Sequence, residues 1–457
     1  MKTYLLQTLI LLIFGLNLNA QQEGFIWAFG DSAGLDFSTI PPTPITTALD
    51  VGEGSQAISD CAGNLLFYTD GMTVFDRTHN VMTNGTGLNG HPSATQSGVI
   101  VPRPGSSAIY YIFSVYELSD APIYYSVVDM SMGANGQVTS KNIQLTTGNA
   151  TEKITAVQHS NGTDIWVVSH EDGNSNFNSW LVTNTGINTT PVVSSVGPLV
   201  ASNNNSRGYM KFSLSGQKLA MMREGSSVVT LCDFNTTTGV VSNAIGFSTG
   251  ASGAPYGVEF SPDETKLYFS ERYASIYQLD LNDPDPVATM HTVWTPGGLD
   301  RGHALQLGPD KKIYVAHRYE NFLSTIDNPN AKGNICDFQY ASQNLAPGTR
   351  SYDGLPNFVT SFFVPLLSCS DTCASTPVTF TISDTTGLRN INWNFGDPAS
   401  GGNNTSTDLS PTHSFTSQGT YIVKLIYHTE KCGLDDTLQM EYIMGDCNIL
   451  PVEILSF

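Results

Sequence analysis

"FSLSGQKLAMM" (212–222), "FSPDETKLYFS" (260–270) and "LQLGPDKKIYVA" (305–316) decide the fold. Aligned on Phe212, Phe260 and Leu307, they recur at spacings of 48 and 47 residues. Each reads as a strand, a four-residue polar turn and a second strand. In the "SPDE" and "GPDK" turns, proline presets φ and aspartate bonds backbone two residues on. A third strand follows in "SSVVTLCDF" (226–234) and "SIYQLDL" (275–281). Weaker copies begin at Ile58, Val101 and Val157, and "LPNFVTSFFV" (355–364) reads as a seventh beginning, with room for its inner strand alone. A repeat of roughly 40–50 residues carrying three or four strands is the period of a propeller blade. The expectation is an all-β chain: a seven-bladed β-propeller over residues 21–366, its last blade closed by N-terminal strands from "GFIWAFGDSAGLDFST" (24–39).

The repeat also interprets "NLLFYTDGMTVFDRTH" (64–79). Asp70, Asp76 and His79 lie close together, as acid/base residues would. Within a blade, however, "LLFYT" and "MTVFD" are two strands, and Asp70-Gly71 is expected to be a two-residue type I′ hairpin turn.

The 457 residues carry 20 Lys plus Arg against 40 Asp plus Glu, a formal charge of −20. Such a chain lacks the basic footprint that nucleic acids and anionic membranes require. Residues 1–20 read as a signal peptide: Lys2, an apolar run from Tyr4 to Leu16, and a small residue at Ala20. No later stretch is long and apolar enough to span a bilayer. The expected location is therefore extracellular or on the outer-membrane surface. Export permits disulfides. Four of the seven cysteines, Cys369, Cys373, Cys432 and Cys447, crowd the last 90 residues. "CSDTC" has a metal-like gap, but no second ligand pair answers it, so disulfides are favoured over zinc.

From Cys369 the pattern changes to a compact run of short alternating strands, expected to be a small immunoglobulin-like β-sandwich over 367–447 with Trp393 in its core. Here "NWNFGDPAS…SPTHSFTSQGTYIVKLIY" resembles the polycystic-kidney-disease (PKD) domain. Trp393, Phe395, Gly396 and Asp397 match its W-x-F-G-D core, with Pro398 where glycine is usual. Pro411, His413, Phe415, Gly419, Tyr421, Val423 and Leu425 match its second motif. The resemblance implies a spacer or binding module, and the pairings Cys373–Cys432 and Cys369–Cys447. Residues from Trp27 to about Val364 resemble secreted Bacteroidetes propeller proteins of YVTN/WD-like type. "LPVEILSF" (450–457), within the segment 448–457, resembles the start of a type IX secretion sorting domain.

Chemistry is sparser. His91 lies near Ser93 and Ser97, but no G-x-S-x-G elbow accompanies them. His159 and His170 follow strands of the third repeat. His303, Arg318 and Tyr319 bring a cation, an aromatic ring and, with Glu320, a carboxylate to loops of a rigid scaffold, where binding groups collect. Sialidase boxes, H-E-x-x-H, P-loops and EF-hand spacing do not occur. No cofactor is expected, and calcium stays an open alternative. The expected function is non-enzymatic binding or adhesion to an extracellular glycan or protein, with His91, His159, His170, His303, Arg318 and Tyr319 as candidate contacts. The alternatives are a polysaccharide hydrolase or lyase, and a structural part of surface or gliding machinery.

Overall fold

The computed structural model describes residues 22–200, 203–248, 254–272, 274–297, 302–364, 367–369, 377–382, 388–429 and 434–444. The chain is all-β. Six hairpins form where the repeats begin, pairing Gln56–Ser59 with Leu65–Thr69, Gly98–Pro102 with Ile109–Ser114, and Ala150–Gln158 with Ile165–Glu171. The remaining three pair Met210–Phe212 with Lys218–Met221, Pro255–Phe260 with Lys266–Glu271, and Gly302–Leu307 with Ile313–His317. Each hairpin continues outward into an antiparallel sheet. The first two sheets also join along their outer strands through one parallel pair, Gln137 with Thr83. A further three-stranded sheet, Ile26–Phe29, Asp31–Asp36 and Thr43–Asp50, comes from the N-terminal segment.

Burial explains the arrangement. The first strands are buried on both faces: all six residues of Pro255–Phe260 and all four of Gln56–Ser59 are buried. The outermost strands, such as Val240–Ser248, alternate between covered and exposed positions. Sheets that stack face to face around an axis, with first strands innermost, have this profile. Successive first strands neighbour one another around the axis. Trp27 closes the gap between the last sheet and the N-terminal one, packing on Phe37 of its own side and on Tyr314 at 4.8 and 5.3 Å. The fold is propeller-like.

One expectation is corrected. Residues 355–364 form no strand. Pro356 and Val359 make isolated parallel bridges to Ser55 and Ala156, and Thr360–Phe363 is a 3-10 turn. The segment threads the axis. Asn357 Nδ2 donates to the carbonyls of Gly98 (2.8 Å) and Ile154 (2.9 Å), while its Oδ1 accepts from Gln96. Phe358 packs on Trp27, and Phe363 abuts Gly24. With six sheets offering polar groups inward, a segment bonded to several of them satisfies more backbone than one paired to a single neighbour.

Asp70-Gly71 is also not a two-residue turn. Thr69 pairs with Val74, and the Asp70 carboxylate accepts from the N–H groups of Met72 (2.7 Å) and Thr73 (2.6 Å). Gly71 supplies the left-handed residue at φ +90°.

The second unit has its own core of Val378, Phe380, Trp393, Phe395, Phe415, Tyr421, Val423 and Leu425. Two sheets build it, one ordered Leu367–Cys369, Val378–Ile382, Thr412–His413. The other is ordered Thr405–Ser406, Leu388–Asn394, Gly419–Thr429, Leu434–Met444. Trp393 is fully buried and donates to Asp408 O at 2.9 Å, as expected of a core anchor. Tyr421 donates its hydroxyl to Ser417 O at 2.6 Å, a tyrosine corner of the immunoglobulin-like kind. Cys373, Cys432 and Cys447 lie outside the described residues, and Cys369 packs at the edge of this core.

Candidate functional site at the strand-entry end

The hairpin geometry sorts the candidate residues. First strands start, and second strands end, at one end of the propeller-like unit; the hairpin turns lie at the other. His170, Arg318 and Tyr319 follow or end second strands, and His91 precedes a first strand, so all four occupy the strand-entry end. His303 lies in Gly302–Leu307 at that same end, and its side chain is outside the described residues. His159 is at the opposite end. Its Nδ1 accepts from Asn161 N (2.9 Å), its Nε2 donates to Thr237 O (3.0 Å), and its ring stacks on Trp166. His159 therefore caps turns and does not join the others.

The remaining candidates also separate by role. His91 Nδ1 accepts from Ser93 N, and its Nε2 lies 3.4 Å from Glu117 Oε1. Ser97 is buried, with its hydroxyl donating to Gly54 O, and is no nucleophile. Asp76 caps its own turn through Thr78 and Asn80, and His79 bonds Tyr68. Neither is placed for acid/base work.

The strand-entry end is dominated by a cluster around Arg272. Its Nη1 donates to Glu224 Oε1 and Oε2 at 3.2 and 3.1 Å, and its Nη2 donates to Glu53 Oε1 (2.8 Å) and Asp353 Oδ2 (3.0 Å). The guanidinium sits 5.1 Å above the Tyr256 ring centroid. Arg207 reaches Glu224, and Arg318 reaches Asp353, each at 3.5 Å. Three carboxylates on one buried cation cannot all ionise cheaply. Burial, and the charges of Glu152, Asp353 and Glu224, outweigh Arg272 and push the Glu53 carboxyl up to about 8.

The outer side of this cluster faces solvent. Arg318 lies 4.9 Å over the Tyr319 ring, and Tyr319 meets Tyr352 edge-on at 5.3 Å. Tyr319 is 57% exposed and held at φ +67°, a conformation that costs a bulky residue energy and often marks function. Among the described residues, no group of three or more His, Cys, Asp or Glu is arranged to hold a metal ion.

Sequence reasoning singled out Arg318 and Tyr319 and passed over their neighbours in the cluster, Arg272, Glu53, Glu224 and Asp353. One signal was present: Arg223, Glu271 and Arg318 occupy the same position of three successive repeats, with Glu224, Arg272 and Tyr319 next.

A propeller-like unit with a charged entry end, followed by an immunoglobulin-like sandwich, defines the class of molecule. Residues 367–444 match the PKD domain family. No curated protein matches the chain. Among solved structures, a functionally unknown protein from Desulfotomaculum acetoxidans aligns at 12% identity, covering 72% of this chain and 95% of that one, with TM-score 0.43. The Pseudomonas aeruginosa periplasmic gluconolactonase aligns at 12% identity, covering 87% and 96%, with TM-score 0.42. The extracellular domain of a putative hybrid two-component system from B. thetaiotaomicron aligns at 13%, covering 93% and 56%, with TM-score 0.43.

Proposed function

We propose that this is a secreted or cell-surface, non-enzymatic binding or adhesion protein. In this reading the propeller-like unit has seven blades, six built on the repeat hairpins and the seventh on the N-terminal sheet. The strand-entry end is the ligand surface, and the PKD domain is a spacer. The observation that carries the reading is the Arg318–Tyr319–Tyr352 surface, where exposed Tyr319 sits between half-buried Arg318 and Tyr352 beside the buried Arg272 cluster. A rigid, internally neutralised base holds a half-buried cation beside an exposed aromatic ring, the groups that recognise polar extracellular ligands. The signal-like N-terminus and the PKD match support an extracellular setting. Against catalysis stands the separation of the histidines: His159 is at the far end, and His170 is buried with Nδ1 on its neighbour's carbonyl.

The test is a glycan and peptide array probed with the chain lacking residues 1–20. Saturable binding without product, weakened at least tenfold in Tyr319→Ala, is expected. Product release that disappears in His170→Ala would replace this reading with a hydrolase or lyase. Absence of binding, with co-purification alongside envelope proteins, would point to a structural component.

A further inference from the structure

Beside the Arg272 cluster, between the third and fourth sheets, lies a group of basic residues that the Arg318 surface does not use. Lys153 is fully buried, and its Nζ donates to the carbonyls of Asn205 (3.0 Å) and Arg207 (2.8 Å), and to that of Ser206 between them. The turn carrying Arg223 packs against the same short segment, through Glu224 N to Arg207 O and Gly225 N to Asn204 O. Arg223 is half-buried. Its Nε is buried without a hydrogen-bond partner, and no carboxylate pairs with it among the described residues. His170 is fully buried. Its Nδ1 donates to Glu171 O at 2.8 Å, which leaves Nε2 as a bare lone pair without a donor.

In a chain with twice as many acids as bases, an unpaired half-buried guanidinium is out of place. The nearby acids do not answer it. Glu152 is occupied by Thr95 and Leu118, and Glu224 by Arg272 and Arg207. Asp172 acts on Lys153 but is not paired with Arg223. Burial depresses the affinity of all three basic groups for their protons. Lys153 falls to about 7 and His170 to about 4, and Lys153 and Arg223 lower His170 further. Phe177 closes the other side of the His170 ring, edge-on at 4.7 Å. The charges of Arg223 and Lys153 are thus held here at a cost that a bound oxyanion would relieve, while neutral His170 adds no charge and lines the site as a neighbour.

We infer that the Arg223 guanidinium, backed by the charge of Lys153, is an oxyanion-binding site that takes the carboxylate of an acidic saccharide. This rests on the proposed ligand surface, which it deepens by naming the ligand's charge. Arg223 makes the direct contact, because its outer nitrogens reach solvent while Lys153 and His170 do not. Planar guanidinium and planar carboxylate match as a two-bond fork.

The experiment is calorimetric titration of the chain lacking residues 1–20 with two oligosaccharides of equal length and linkage, one of uronates and one of the neutral sugars. The uronate oligomer is expected to bind at least tenfold more tightly, with the preference lost in Arg223→Gln and partly kept in Arg223→Lys. The His170 ring resonances are expected to shift with monomeric glucuronate and not with glucose. Equal affinity for the two oligomers, unchanged in Arg223→Gln, overturns this site and leaves the proposed function standing. Inorganic sulfate moving His170 as strongly as glucuronate overturns the saccharide assignment. If no array ligand is found at all, the proposed function fails. The glucuronate titration of His170 still decides the site by itself. Circular dichroism of both Arg223 variants separates loss of the site from loss of the fold.

Discussion

At the scale of single residues, the Arg272 cluster makes stability depend on pH through Glu53. The Glu53 carboxyl is raised from 4.5 to about 8, chiefly by burial. The folded state therefore holds this proton more tightly than the unfolded chain does. A group raised in this way contributes fully below the unfolded value, and the contribution is lost as pH climbs through the folded one. Unfolding free energy is expected to fall between about pH 4.5 and 8 with a component of up to one proton, roughly 1.4 kcal/mol per pH unit at its steepest. Glu53→Gln carries no titrating group and should flatten that component. Urea unfolding at a series of pH values checks it, and parallel curves for the two proteins would refute the assignment. Little of this was legible in sequence. Glu53, Glu224, Arg272 and Asp353 come from four segments up to 300 residues apart. Their meeting depends on ring closure, which no local pattern encodes. Arg318 and Tyr319 were legible because one tripeptide brings cation and ring together. His159 looked equivalent to His170, but the two sit at opposite ends of one hairpin.

At the scale of elements, the hairpins were the readable part, and their turns show why. In five of the six, the N–H of a turn's fourth residue bonds the first residue's carbonyl, and that fourth residue is left-handed. It is glycine at Gly63, Gly162 and Gly216, but Glu264 (φ +61°) and Lys311 (φ +66°) in the other two. A left-handed non-glycine residue costs about 1–2 kcal/mol, and glycine returns part of that as unfolded-state entropy. Glu264 offsets its strain by accepting from Ser215 N and Ser215 Oγ. Lys311 makes no such bonds. Lys311→Gly should therefore stabilise the protein by about 0.5–1 kcal/mol, while Glu264→Gly should give no gain. Denaturant midpoints for both variants provide the check, and a destabilised Lys311→Gly would show that the turn is not strained. The axial segment was the misread element. Its β-prone apolar residues, Phe358, Val359, Phe362, Phe363 and Val364, imitate a strand by composition. Gly354 gives the reason that it runs elsewhere: a Cβ there would lie 1.9 Å from Glu53 O, so the backbone already crosses the entry end against the connection between Asp50 and Gln56.

At the scale of the whole molecule, the change of pattern at Cys369 marked a real division of the core. The sandwich cluster from Val378 to Met444 shares no residue with the two buried clusters between Phe25 and Phe363, a large one and a smaller one between the third and fourth repeats. Those two are bridged by the strands they share, such as Ala150–Gln158 and Ile165–Glu171, whereas the sandwich has strands of its own, so ring and sandwich are expected to unfold as separate cooperative units. Each has a tryptophan at its centre. Trp27 is fully buried among Phe37, Tyr314 and Phe358, at the junction where the N-terminal sheet, the last repeat and the axial segment meet. Trp393 stacks with Phe395 and packs against Phe380. Truncating a buried tryptophan to alanine costs about 3–5 kcal/mol, because lost burial is compounded by the cavity left behind. For a unit of the size of residues 367–444, that is a large part of total stability. For the ring it opens the junction on which closure depends. Calorimetry of the chain lacking residues 1–20 should therefore show two transitions. Trp393→Ala should remove or strongly lower the smaller and leave the larger in place; Trp27→Ala should lower the larger alone. A single transition shifted by both substitutions would mean that the two units fold as one. That outcome would count against the spacer role that the proposed function gives the PKD domain.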